Sequence, residues 1–349
     1  MNNYSDVTMN SVFRFSKDRG LKLCAQALKA KNCFLNKIET NEYRETECNC
    51  ICGAQKNDIL LATVDRYGFH VNTFICKQCG LIRINPYLDE GSLQKFYNTD
   101  YDNIYRIETP ANIFFQDQLN QGNAILKMIS SVKDDVTNLT VMEIGCSMGG
   151  NLLPFQQIGC SVFGVDYNQD HIAKGKKLGM DLRVGSWENL QDAAPSDILI
   201  LSHVLEHMTN PVLFLKNVLK LVNENGLIYV AVPAIEDIPS SYGYDIMSWL
   251  QNAHAYNFSN LTLKEVIRLS GAEPIWDNGR GVVIARKSKE SGSCCFDVNE
   301  AHSIKMKKYE QKFQLFHNVP TIFRHNAAWY LKMFLPYGIV RYFQLTKGG

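Results

Sequence analysis

The sequence predicts an α/β fold of Rossmann-like type, with a small cysteine-bound module ahead of it and a helical tail behind. Three observations predict it. From about 137 to 287, apolar runs of strand length alternate with helical patterns, as in a parallel sheet with crossover helices. Two further candidate strands, 274–277 and 282–285, flank Asn278-Gly279, a hairpin signal that closes the sheet antiparallel. Five of the eleven cysteines crowd into residues 48–79.

Composition sets the frame. Hydrophobic residues at 46% and charged residues at 20% predict a sizeable buried core. A net charge of +1 gives no whole-chain argument for nucleic acid or an anionic membrane. The charge is uneven, because residues 302–349 carry eight Lys or Arg against one acid, Glu310, interleaved with aromatics that include Trp329, Tyr330, Phe334, Tyr337, Tyr342 and Phe343. The polar run 1–10 does not read as a signal peptide, and no stretch approaches the apolar length of a membrane helix. A reducing, cytoplasmic location is the expectation, and there cysteines serve as metal ligands or buried residues rather than disulfides.

The chain divides into five zones: an extension, 1–45, helical in part; the cysteine module, 46–85; a Tyr-rich bridge ending in a helix, 86–131; the α/β domain, 132–287; and the basic aromatic tail, 288–349. In the bridge, Phe115, Leu119, Leu126 and Ile129 fall near helical spacing. Within the domain, LTVMEI, SVFGVD, DILILS and GLIYVAV read as buried strands. Asn210-Pro211 starts a helix whose apolar face is Phe214, Leu215, Val218, Leu219 and Val222. Asn225-Gly226 turns into the next strand. A later helix is expected to open on a Thr262-x-x-Glu265 capping box and to stop at Gly271.

The sharpest local signal is VMEIGCSMGGNLL, from Val141 onward. A strand ends at Glu143-Ile144, turns through Gly145 and reaches a helix near Gly150-Asn151, so ligand can lie against bare backbone and free N–H groups. Twenty-one residues after Gly145, at the end of the next strand, Asp166 can accept both hydroxyls of a ribose. That pair fits a nicotinamide dinucleotide as well as S-adenosylmethionine. Three details favour the second: Ser147 replaces the middle glycine of the dinucleotide pattern, the carboxylate of Glu143 suits a cationic amino group, and the terminal hairpin is antiparallel.

On these residues the stretch 137–287 resembles the class I methyltransferases, whose first motif is acidic-x-Gly-x-Gly-x-Gly; here it reads EIGCSMG, with Ser147 where glycine is common. The resemblance implies a mostly parallel seven-stranded sheet and S-adenosylmethionine as cofactor. It implies a contact set of Glu143, Gly145, Cys146, Ser147 and Gly149, with Glu143 and Gly145 on the methionine part and Asp166 on the ribose. Ser186, Trp187 and Glu188 would flank the adenine, although Trp187 serves equally as a core residue.

The fourth strand continues as HVLEHMTNP. His203-x-x-Glu206-His207 matches the inverted zinc-peptidase pattern, but that pattern needs both histidines on one helix, and here the first stands at a strand end. The segment is instead similar to the fourth-strand motif of small-molecule methyltransferases, which makes His203, Glu206 and His207 acceptor-pocket candidates, with or without a divalent ion. After an insertion, 235–252, of the kind that shapes acceptor sites, His254 either faces the transferred methyl or hydrogen-bonds backbone. In-line positioning supplies most of the acceleration, and His254 or His207 serves as base where the acceptor must lose a proton.

CNCICG and CKQCG place Cys50, Cys52, Cys76 and Cys79 as a four-cysteine zinc site, with Cys48 as substitute; free thiols and an iron–sulfur cluster are the alternatives. This module, followed by GLIRINP and FYNTDY, resembles the N-terminal region of bacterial methyltransferases of nucleotide-linked sugars, sugar C-methyltransferases among them. The resemblance, which covers about two thirds of the chain, implies a structural metal and acceptor-lining Tyr97 and Tyr101. It points to C- or O-methylation of a sugar in glycan or natural-product synthesis. Two rivals stand beside it. One is an RNA methyltransferase gripping through its ribbon, which the balanced Lys56, Arg66, Lys77, Arg83, Asp58 and Asp65 disfavour. The other is a non-catalytic binding module whose tail, 302–349, docks on a partner or membrane surface rather than packing as a terminal helix pair.

Overall fold

The computed structural model describes residues 21–54, 58–107 and 110–288. Helix α1 (Ala25–Glu39) starts on Cys24, whose sulfur accepts the Ala27 N–H, and buries Ala27 and Phe34. Five short strands follow: β1 (Glu45–Thr46), β2 (Asp58–Val64), β3 (His70–Cys76), β4 (Ile82–Ile84) and β5 (Tyr87–Leu88). Three helices form the bridge: α2 (Glu90–Thr99), capped by Asp89, then α3 (Tyr101–Tyr105) and α4 (Ala111–Ser130). The helical spacing read in the bridge is α4, although its buried face is Gln118, Gly122, Ile125 and Ile129.

The α/β part then runs β6 (Thr140–Ile144), α5 (Leu153–Gln157), β7 (Ser161–Asp166), α6 (Gln169–Lys176), β8 (Asp181–Val184), β9 (Ser196–Ser202), α7 (Pro211–Val218) and β10 (Val222–Ala231). It continues through α8 (Ile238–Ser241), α9 (Ile246–Trp249), β11 (Tyr256–Asn257), α10 (Asn260–Leu269), β12 (Ala272–Asp277) and β13 (Val282–Lys287). Seven strands make one sheet in the order β12-β13-β10-β9-β6-β7-β8. Strands β8, β7, β6, β9 and β10 are parallel neighbours, and β13 enters antiparallel between β10 and β12. This is the mostly parallel, Rossmann-like sheet with a terminal hairpin that the sequence predicts. Gly279, at a φ of +70°, turns the hairpin.

The strand order sets the site. The chain leaves β6 toward β7 on one side and later returns to β9 on the other, so adjacent crossovers diverge above the β6–β9 edge. In open parallel sheets the crevice at such a switch point, outside the carboxyl ends of the strands, receives the ligand.

One local expectation is corrected. Helix α10 is capped by Ser259, whose hydroxyl accepts the Thr262 N–H while Thr262 Oγ1 receives the Ser259 N–H. The box therefore runs Ser259-x-x-Thr262, and Glu265 instead pairs with Arg268 at 2.6 Å. Serine in the extended conformation can begin the helix one turn before Thr262, and Asn260 N–H is met by Glu236 Oε2.

The smaller sheet has the order β11-β4-β3-β2, so a strand from residues 256–257 completes the sheet that contains the cysteine turns. One apolar cluster runs without a break from Cys50, Cys76 and Cys79 through Phe96 to Leu201, Val230 and Phe258. Among the described residues no helix is long and apolar enough to cross a membrane. The expectations for the tail, 288–349, lie outside the described residues apart from Ser288.

Candidate functional site

The turn after β6 is built for close approach. Gly145 has a φ of +75°, and a Cβ there would stand 2.8 Å from the Val204 side chain; Gly149, at +77°, would meet Met180 at 2.7 Å. At such φ values any L side chain is strained, so either substitution costs the turn energy. Glu143 is fully buried, and its Oε1 accepts Asn151 Nδ2 at 2.7 Å while Oε2 has no partner. Burial pushes its carboxyl up to about 8, against the lowering hydrogen bond from Asn151. A buried carboxyl with one oxygen unsatisfied is a group that a cation could partner.

Asp166, closing β7, accepts the Ser147 N–H on Oδ2 at 2.9 Å and the Asn168 N–H on Oδ1 at 2.8 Å. Each oxygen keeps a lone pair for a ligand hydroxyl. Cys146 turns its thiol into the core beneath Gly164, so its backbone alone faces the turn. Farther out, Ser186 and Asn189 cap each other across a short turn, Glu188 is exposed and bonded to Ser186, and Trp187 is half-buried against the apolar cluster. The glycines, the two carboxylates and Ser147 thus stand together at the carboxyl ends of β6 and β7.

Beyond β9 the chain brings a second group together. Glu206 and His207 follow in a single turn of 3-10 helix, and His254 arrives from the far side of the insertion. Glu206 is 1% exposed and neither of its oxygens has a hydrogen-bond partner; Oε1 lies 3.8 Å from His207 Nε2 and 3.4 Å from His203 Nδ1. The donors of Glu206, His207 and His254 lie within 4.8 Å of one another. His203 is more open, with 54% of its side chain exposed, on a backbone at φ +56°.

His207 Nδ1 bonds to the Ala253 carbonyl at 2.8 Å, an orientation that leaves Nε2 toward Glu206. The same carbonyl accepts Tyr87 Oη at 2.9 Å and Tyr97 Oη at 3.4 Å. The rings of Tyr97 and Tyr101 stand edge-on to His207 at 5.4 and 5.9 Å, and Tyr105 follows at 5.0 Å from Tyr101. Burial lowers the pKa of His207, and lowers that of His254 far more, with His207 and Arg66 adding to it. Both rings are therefore neutral near pH 7 and able to accept a proton.

Cys50, Cys52, Cys76 and Cys79 are brought together, all four sulfurs within 4.8 Å. Their contacts include 3.3 Å for Cys50–Cys79, 3.5 Å for Cys50–Cys52 and 3.7 Å for Cys52–Cys76. Four thiolates at about 2.3 Å around one tetrahedral zinc lie about 3.8 Å apart, so the donor set fits that ion. Gly53 and Gly80, both at positive φ, close the two turns by donating to the carbonyls of Cys50 and Cys76. Cys48 stands outside this group: its N–H bonds to Asn85 and its carbonyl to Arg83 Nε.

Sequence reading missed several participants. Asn151 and His171 lie in the stretches it covered but bear no motif; Asn151 shows only as the polar residue at the helix start. Arg66 and Asn252 belong to segments that join only in three dimensions: Arg66 bonds to Gln251, and Tyr105 to Asn252. Arg106 lies over Tyr101 at 5.2 Å and Phe114 at 4.9 Å.

Residues 116–275 match the family model described as a methyltransferase domain. The chain is similar to the ubiquinone biosynthesis O-methyltransferase of Pelagibacter ubique, 33% identical over 111 residues, 30% of this chain and 45% of that protein. It is also similar to the protein of that name from Rhizobium etli, 36% identical over 27% of this chain and 40% of that protein. The chain thus spans less than half the length of these curated relatives. Among solved structures it is similar to magnesium protoporphyrin IX methyltransferase from Synechocystis PCC 6803 with bound SAH, at 14% identity and a TM-score of 0.41, covering 57% of this chain and 100% of that one.

Proposed function

We propose, for a chain whose residues 116–275 match the methyltransferase-domain family model, that it binds S-adenosylmethionine at the ends of β6 and β7 and methylates a small-molecule acceptor. The observation that carries this is the pairing of Glu143, buried with Oε2 unsatisfied, with Asp166 across a turn of positive-φ residues at the switch point of the sheet. A ligand with a cationic amino group and a ribose diol satisfies both carboxylates at once.

When bound, the cofactor supplies a methyl group on a positively charged sulfur. Glu143 holds the amino group, Asp166 the ribose hydroxyls, and the backbone of Gly145, Ser147 and Gly149 the space between. Trp187 and its neighbours Ser186 and Glu188 border the adenine. On the acceptor side, Tyr97, Tyr101 and Tyr105 wall the cluster of Glu206, His207 and His254 and keep water from it. His254 or His207 takes the proton released by a hydroxyl or carbon acceptor, and Glu206 stabilises the resulting imidazolium. His203 borders the entrance. Cys50, Cys52, Cys76 and Cys79 hold a structural zinc that fixes the module against the acceptor side.

The acceptor we favour is a sugar or a nucleotide-linked sugar. The cluster of tyrosines and neutral histidines supports it, since such a wall recognises stacked apolar faces and hydroxyls together. The test is incubation of the full chain with methyl-labelled S-adenosylmethionine and nucleotide sugars, a small-molecule lysate fraction, and RNA. Label in a sugar supports the reading. Label in RNA alone, or none with any acceptor, overturns it.

A further inference from the structure

Ser147 is an unusual residue for its place. It lies in the glycine turn at φ +50°, in the left-handed region that an L side chain enters at a cost, and it is 1% exposed. Two hydrogen bonds hold it there. Its N–H donates to Asp166 Oδ2, and its hydroxyl lies 2.9 Å from Nδ1 of His171. That imidazole is itself confined. Helix α6 begins at the Asn168 cap, which accepts the His171 N–H at 2.9 Å, and the ring stacks on Phe114 of α4 with planes 29° apart. The Asn168 N–H in turn meets the other oxygen of Asp166, and its side chain donates to Asp102 of α3. Turn, helix start and carboxylate thus form one closed set of bonds.

We propose that Ser147 and His171 act as a positioning pair for the cofactor, holding the turn amide against Asp166 so that its carboxylate meets the ribose hydroxyls in one orientation. This rests on the cofactor reading proposed above. His171 touches no part of the ligand; it acts through Ser147. In its neutral form, with the proton on Nε2, the ring accepts the Ser147 hydroxyl. Protonation reverses that bond and places a cation beside a site for a cationic ligand. The groups facing the ring are Asp166 of β7, Asp102 of α3, Arg106 just after it, and Lys174 of its own helix, while burial holds its pKa below the ordinary value. Cofactor affinity therefore falls as pH drops through the titration of His171.

The test is calorimetric binding of S-adenosylhomocysteine and S-adenosylmethionine to the full chain from about pH 5.5 to about pH 8, with circular dichroism as the check on folding. His171→Ala weakens binding by about fivefold, the loss of one hydrogen bond. His171→Asn, whose amide occupies the Nδ1 position, restores it to within about twofold and reduces the wild-type decline at low pH to the part that protonation of Glu143 imposes. That decline is larger for S-adenosylmethionine, which carries the sulfonium charge. Should His171→Ala fail to fold, Ser147→Ala, which deletes the hydroxyl alone, shows the same weakening. Wild-type affinity in Ser147→Ala and in a folded His171→Ala, or an unaltered pH slope in His171→Asn, overturns the pair. If the wild-type chain binds neither ligand, the cofactor reading itself falls and this inference with it.

Discussion

His207 and His254 meet edge to face, their ring centroids 5.0 Å apart and their planes at 66°, although 46 positions separate them in the chain. Both are buried, and both lie within reach of the Glu206 carboxylate, whose oxygens accept no hydrogen bond. Replacing both by alanine is expected to lower kcat by about 10²- to 10⁴-fold, the span of a lost general base, while S-adenosylhomocysteine affinity stays as in the wild type. An unchanged kcat takes both residues out of proton transfer.

The same pair fixes a pH profile. A base must be neutral to work, and burial lowers the pKa of both rings. Turnover should therefore hold its plateau below about pH 6.5, the ordinary imidazole value, and decline only in more acid solution. A kcat profile with its acid limb at or above that value contradicts the arrangement.

Glu143 should impose a slope on stability. Its carboxyl is raised by burial from 4.5 to about 8, so between those values the folded chain keeps a proton that the unfolded chain releases. Its contribution is fully present below the lower value and is lost as pH rises toward the upper one. Thermal melts of Glu143→Gln should gain on the wild type as pH rises through that window. Binding of a cation beside Glu143 should also expel a proton near neutral pH, read as a binding enthalpy that changes with buffer. A buffer-independent enthalpy means that Glu143 is already ionised before the ligand arrives.

The cysteine cluster predicts one zinc per chain. Cys76→Ser and Cys79→Ser should lose it and melt at lower temperature, because a structural zinc contributes folding energy directly. Cys48→Ser should keep it. Elemental analysis of the three purified variants decides the matter, and zinc retained in Cys79→Ser would remove that residue from the ligand set.

Arg83 is a buried cation of the module. Its guanidinium, 4% exposed, bonds Asp58 at 3.0 and 2.6 Å and donates through Nε to the Cys48 carbonyl. Asp58→Ala strands that charge and should cost about 3 kcal/mol in urea unfolding, whereas Asp58→Leu with Arg83→Met should cost far less. Equal losses from the two would show that the pair is not what holds β2 to β4.

Much of this molecule is written locally. Apolar runs of strand length alternating with helices determine a parallel sheet, because such strands bury both faces and need crossovers of that kind. The spacing from Glu143 through Gly145 to Asp166 determines a glycine turn with two acidic residues at the ends of two adjacent strands, since each residue owes its place to its own strand. Local signals also marked the hairpin at Gly279. They failed at α10, where Thr262 offered a capping pattern but Ser259, one turn earlier, took the role.

The tertiary structure alone decided the rest. It brought Cys50 and Cys52 to Cys76 and Cys79 and left Cys48 aside, its backbone bonded to Arg83 of β4 and to Asn85 just after it. It joined β11 to β4, and so brought Ala253 beneath Tyr87, Tyr97 and His207 and His254 against His207. It also seated His171 on Ser147. Each of these pairs residues distant in sequence, and such a contact depends on how whole elements pack, for which no local spacing or propensity carries a mark.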